Sequence, residues 1–297
     1  MSCCNAFPPC GTSRLLASLL LVLCSSSLLA ADVQPKLAIV SAGVEQVEDG
    51  PFVSSEFSFV PGDYVHFAFQ VTGFKTTGDD YAAGRQLALT YQLALLDQAG
   101  EVLERQEDDK INEDITPQDK NWAPKRRGAF LLPPFIGAGT YHIRLSVHDE
   151  YGKSDVSRDF PFRVGGREIA PASSISIQNF RFLRGEQDGH PLESPSYRAG
   201  STVWARFDMT GFKTGPKNAL HLQYGLSVLR PDGSVIFEQP EAANENMELD
   251  YHPQFVPGVL SVTTTPSLAR GEYTMVVSVH DLIGKQDQTS NYKFHIE

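Results

Sequence analysis
One stretch of this sequence occurs twice. GTYHIRLSVHDEYGK at 139–153 and GEYTMVVSVHDLIGK at 271–285 share Gly, Tyr, Ser-Val-His-Asp and Gly-Lys at identical offsets. In the second copy Tyr273, Met275, Val277 and Val279 alternate with Thr274, Val276, Ser278 and His280. A period of two predicts a strand with one buried face. Gly284 then ends the run where a turn needs a residue free to take positive φ. Two further blocks repeat in step. Thr72-Gly73-Phe74-Lys75-Thr76 returns as Thr210-Gly211-Phe212-Lys213-Thr214, and the alternating Leu87, Leu89, Tyr91, Leu93, Leu95 returns as Leu220, Leu222, Tyr224, Leu226, Val228. Each alternating run leads into a tight-turn signal, Asp97-Gln98-Ala99-Gly100 or Arg230-Pro231-Asp232-Gly233. A period near 130 residues is far longer than a solenoid repeat or propeller blade, so the copies are tandem all-β domains.

Before each repeated strand lies a small corner, Leu268-Ala269-Arg270-Gly271-Glu272-Tyr273 and, more loosely, Ile136-Gly137-Ala138-Gly139-Thr140-Tyr141. Leu-x-x-Gly-x-Tyr resembles the tyrosine corner of immunoglobulin-like sandwiches, in which the phenol bonds main chain where strand F begins. The longer Gly-x-Tyr…Val-x-Asp-x-x-Gly pattern is also similar to polycystic-kidney-disease-type and macroglobulin-type sandwiches. The resemblance implies two tandem immunoglobulin-like antiparallel β-sandwiches of about seven strands each. The expected organisation is a signal peptide over 1–31, a first domain over 32–165, a linker over 166–174 and a second domain over 175–297. Membership of such a class implies adhesion, spacing or partner binding at the cell envelope, although a fold does not itself carry function.

The leader reading comes from 1–31, where Arg14 is the only charge, 15–23 is a short apolar core and Ala30-Ala31 offers small residues for cleavage. All four cysteines (Cys3, Cys4, Cys10, Cys24) fall inside it, so the mature chain has no disulfide or thiolate chemistry. In Leu21-Val22-Leu23 a bulky Leu23 stands where lipidation of Cys24 would need a small residue, which argues against a lipid anchor. An exported protein is expected, periplasmic, cell-surface or secreted, with no membrane-spanning helix in the mature chain. A net charge of −11 excludes nucleic acid as a natural partner.

Candidate chemistry is sparse. His148-Asp149 and His280-Asp281 look like acid–base pairs, but neighbours on a strand point to opposite faces. Each Asp is expected instead to bond the turn before Gly152 or Gly284. The polar stretch 104–127 contains Glu107, Asp108, Asp109, Glu113, Asp114 and Asp119, interleaved with Lys110, Lys120, Lys125, Arg126 and Arg127, without calcium-loop spacing. It reads as a long solvated loop. Metal ligands and cofactors are therefore not expected.

In a sandwich of this class the loop after the second strand and the turn between the last two strands share one pole. Thr-Gly-Phe-Lys-Thr and His-Asp-x-x-Gly-Lys should then be neighbours, with Phe74 tucked inward. In the second domain this pole should abut the first domain; in the first it should be free. Its loop offers Asp79, Asp80, Tyr81 and Arg85 as binding residues, and Trp122 either joins them as a stacking or anchoring side chain or folds back over the first domain. Trp204 is expected in or near the core. The combined reading is a non-enzymatic binding or structural protein, acting by protein–protein interaction or as a spacer at the bacterial envelope. A carbohydrate-binding accessory module, or a periplasmic chaperone or inhibitor-like binder using a loop or a free strand edge, are the alternatives. The partner is expected to be a protein or a cell-envelope polysaccharide.

Overall fold
A computed structural model describes residues 36–79, 84–116, 119 and 121–297. In its first half the strands are β1 (Ala38–Glu45), β2 (Ser58–Phe59), β3 (Tyr64–Thr72), β4 (Thr77–Asp79), β5 (Gly84–Leu96), β6 (Val102–Arg105), β7 (Asp109–Ile115), β8 (Lys125–Leu131), β9 (Gly139–Asp149) and β10 (Ser154–Val164). The second half has β11 (Ser176–Leu183), β12 (Ser196–Tyr197), β13 (Thr202–Thr210), β14 (Leu220–Leu229), β15 (Val235–Met247), β16 (Val256–Thr263), β17 (Gly271–Asp281) and β18 (Gln286–Ile296). Among the described residues the one helical element is a 3-10 turn, Pro216–Asn218, so none is long and apolar enough to cross a membrane.

Each half builds two sheets. A three-stranded sheet β1-β3-β8 faces β2-β10-β9-β5-β4, with β6 and β7 also paired to β5; the second half repeats this as β11-β13-β16 against β12-β18-β17-β14-β15. All pairings are antiparallel except β2 on β10 and β12 on β18. The alternating positions read from sequence are the ones that close each core. Val65, Phe67, Phe69 and Val71 meet Leu87–Leu95 alternates in one cluster, and Val203, Ala205, Phe207 and Met209 meet Leu220–Val228 alternates in the other. Phe69 meets Tyr91 edge-on at 5.1 Å between the sheets. Burying each such Leu or Phe contributes about 1.5–3 kcal/mol.

Both tyrosine corners form: the Tyr141 hydroxyl donates to the Gly137 carbonyl and that of Tyr273 to the Ala269 carbonyl, each at 2.8 Å. Two expectations are corrected. The stretch 104–127 is largely strand, not loop, because Ile111 and Ile115 are buried and hold β7 against β5. Its acids are spent on neighbours: Asp109 accepts from the Tyr91 hydroxyl at 2.6 Å, Asp114 from Gln86 at 3.0 Å, and Glu113 from Arg126 at 2.8 Å. Trp204 lies half-buried on the outer face of β13, since Val203 and Ala205 take the inward positions.

The described residues belong to one compact unit. The segment before β16 docks on the first half's tyrosine corner: Gln254 Oε1 accepts from the Gly137 amide at 2.8 Å, and Phe255 meets Phe135 at 6.1 Å. Arg167 pairs with the buried Asp208 and lies 5.0 Å above the Phe255 ring. The Thr210–Thr214 loop of the second half faces Asp97 and Gln98 of the first across a cavity of about 470 Å³. That pole therefore abuts the first sandwich, as its sequence position implied.

Candidate binding site
The pole of the first sandwich that carries the Thr72–Thr76 loop is fixed by one carboxylate. Asp149 ends β9 with its side chain 1% exposed. Its Oδ1 accepts from the amides of Tyr151 (3.0 Å) and Gly152 (2.9 Å), and its Oδ2 from the amide of Lys75 (2.7 Å). One side chain thus ties the last turn to the loop after β3. Gly152 is required because a Cβ there would collide with that carboxylate, and Gly73, at φ 71°, because a Cβ would strike the Lys36 carbonyl. Asp281 does the same for Lys213, Ile283 and Gly284 at 2.8, 3.1 and 2.8 Å.

The histidines beside these carboxylates face the other way. His148 Nδ1 lies 2.8 Å from Asp155, directly across from it on β10, and His280 Nδ1 lies 2.7 Å from Asp287 on β18. Neither His shares a hydrogen bond with its sequence neighbour, so no acid–base dyad is assembled from the repeated His-Asp. Among the described residues no group of three or more His, Cys, Asp or Glu is placed to hold a metal.

On the frame set by Asp149 the structure brings Arg85 and Trp122 together. Arg85 sits near the start of β5, between Gly78 of β4 and Ile115 of β7. Trp122 follows a short turn in which Asp119 receives the Trp122 amide at its carbonyl (3.1 Å) and the Thr116 hydroxyl at its carboxylate (2.6 Å). That turn leaves Trp122 38% exposed. With Thr72, Phe74, Asp119 and Asn121 the two residues line a cavity of about 420 Å³. Phe74 is partly buried against the first core and so forms a wall rather than a projecting ligand. Asp79 ends β4 opposite Gly84, and Asp80 and Tyr81 lie outside the described residues. Thr72, in the repeated Thr-Gly-Phe motif, was missed as a lining residue; its place one residue before the pole's glycine was the available signal.

No family model matches the chain, and no curated protein matches it. Among solved structures, the C-terminal domain of the AgI/II polypeptide BspA of Streptococcus agalactiae is 11% identical, with 86% of this chain and 99% of that one covered at a TM-score of 0.28. The C-terminal domain of the antigen I/II-family protein AspA of Streptococcus pyogenes is 9% identical, with 86% and 98% covered at 0.29. A family 123 glycoside hydrolase from Clostridium perfringens is 10% identical, with 42% of this chain and 27% of that chain covered at 0.29. Likeness at this level carries no argument about activity or ligand.

Proposed function
We propose that this chain is a non-enzymatic binding protein exported to the bacterial envelope, and that it holds a glycan at the Thr72–Thr76 pole of its first sandwich. The observation that supports this is the cavity shared by Arg85 and Trp122. An exposed indole gives a sugar ring a flat apolar face, while Thr72, Asp119, Asn121 and Arg85 surround it with hydrogen-bonding groups. The volume falls within the range of about 300–1,000 Å³ typical of small-ligand sites.

Recognition by strand addition is the weaker reading. β15 is a long edge strand of 13 residues, but its pairing to β14 is broken by a bulge opposite Gly225. Pro240, Glu238, Glu241 and Glu245 lie along it, the residues that blunt an edge against a further strand.

The test is affinity recovery of the tagged protein from its native envelope under mild crosslinking, beside a Trp122→Ala variant. Polysaccharide recovered with the wild type and lost with the variant supports the reading. A stoichiometric protein partner would replace it with protein recognition, and recovery of neither would leave a spacer.

A further inference from the structure
The two copies differ at one place in a way that opens a second site. Strand register aligns them residue by residue, since Ala38 pairs with Thr72 as Ser176 pairs with Thr210. Ser41 and Asn179 then coincide, both left-handed at φ 45° and 51°, and the next residues are Ala42 and Phe180. On the neighbouring strands, Phe160 faces Ile143 as Tyr292 faces Met275, so Phe160 and Tyr292 coincide too.

In the second sandwich Phe180 lies flat on Tyr292, with ring centroids 3.4 Å apart and planes 5° from parallel. This pair closes the side of the sandwich between β11 and β18. In the first sandwich Ala42 supplies no ring. The space between β1 and β10 remains as a cavity of about 470 Å³ lined by Phe52, Val53, Phe57, Phe160, Phe162 and Arg163. Phe160 meets Phe67, which stands where the second copy has Ala205, at 5.0 Å, and carries the Arg158 guanidinium 4.8 Å above its ring. Neither Arg158 nor Arg163 has an ion-pair partner among the described residues, and Arg163 is the one charged side chain in the lining.

We propose that this lateral cleft is a binding site for a small aromatic ring bearing a negative group. The ring would lie against Phe52, Phe57 and Phe162 on the side where the other copy has Phe180, and the acid would meet Arg163 at the rim. Burial of a ring against aromatic walls provides the affinity, and the unpaired guanidinium selects the anion. The site is independent of the Trp122 pole, from which it differs in strands, lining and charge.

The test is titration of the full-length exported protein with phenylacetate and indole-3-acetate, and with 2-phenylethanol as the uncharged counterpart, followed by ligand-observed NMR. All three are expected to bind, the carboxylates more tightly. Arg163→Gln, at an exposed strand position, should weaken the carboxylates about tenfold and leave 2-phenylethanol unchanged. Ala42→Phe should abolish binding of all three by restoring the plug of the other copy. Trp122→Ala should leave every affinity as it was. Absence of binding by the wild type overturns the proposal, as does a carboxylate affinity that ignores Arg163→Gln. Should Ala42→Phe fail to fold, the Arg163→Gln comparison decides alone.

Discussion

Asp149 takes the amide of Lys75 across 74 residues of sequence at 2.7 Å, and Asp281 takes the amide of Lys213 across 68 at 2.8 Å. A buried carboxylate with three main-chain donors is hard to replace. Asparagine offers one acceptor oxygen and would turn an N–H₂ toward an N–H. Asp149→Asn is therefore expected to cost about 2–4 kcal/mol, seen as a lower urea midpoint. Asp155→Asn, altering an exposed partner of His148, should change the midpoint by less than about 0.5 kcal/mol. Equal effects from both would mean that the pole is not organised by Asp149.

The chain has two tryptophans. Trp122 is exposed on the pole and Trp204 half-buried on the outer face of β13. Trp204→Phe would leave Trp122 as the sole indole, with emission at long wavelength. A glycan that fills the Arg85–Trp122 cavity should shift that emission to shorter wavelength. Saturation of the protein with no spectral change would place its ligand elsewhere. Trp122→Ala itself should cost less than about 1 kcal/mol of stability, because solvent already reaches the ring.

How much of this was legible follows the periodicity. Strands such as β5 and β17 alternate cleanly, and their buried faces were read correctly because a half-buried strand writes its period directly into sequence. The tyrosine corners and the paired loop and turn of each pole were legible for a second reason: their chemistry recurs at fixed offsets in both copies. β7 was not, since Asp109, Lys110, Asn112, Glu113 and Asp114 crowd around the inward Ile111 and Ile115 and mask the alternation. Arg85 and Trp122 were each singled out, but their meeting depends on β7 lying beside β5. The Phe180–Tyr292 plug needed strand register, which composition does not encode.

Tyr197 gives a prediction in pH. Its hydroxyl donates to the Leu183 carbonyl at 2.8 Å, and burial pushes its pKa up to about 12. The folded state therefore holds this proton more tightly than the unfolded chain, whose tyrosines titrate near 10. The stabilisation is complete below about pH 10 and is lost as pH rises toward 12. Tyr91, Tyr141 and Tyr224 are raised by burial as well, so alkaline unfolding should be steep and shared between the two cores. Tyr197→Phe should cost about 1 kcal/mol at neutral pH and flatten the alkaline fall. A slope unchanged by the substitution would assign that fall to the other tyrosines.

Arg167 is the hinge of the last prediction. It leaves the first sandwich just after β10, pairs with Asp208 on β13, and lies over Phe255. Asp208 is fully buried, and its Oδ2 accepts from the Asn179 side-chain amide at 3.0 Å. Arg167→Ala would strand that carboxylate at the junction. The expected cost is about 1–3 kcal/mol, reduced from that of a wholly buried pair because solvent reaches the guanidinium. Small-angle scattering should also report a wider spread of shapes, as the junction then loses its one ion pair among the described residues and rests chiefly on Gln254, Tyr251 and Phe255. Adding Asp208→Asn should recover much of the stability, since the stranded charge is gone, but not the narrow distribution of shapes. If the double variant regains both, the pair matters only for its charge balance, and the contacts of Gln254, Tyr251 and Phe255 suffice to hold the junction.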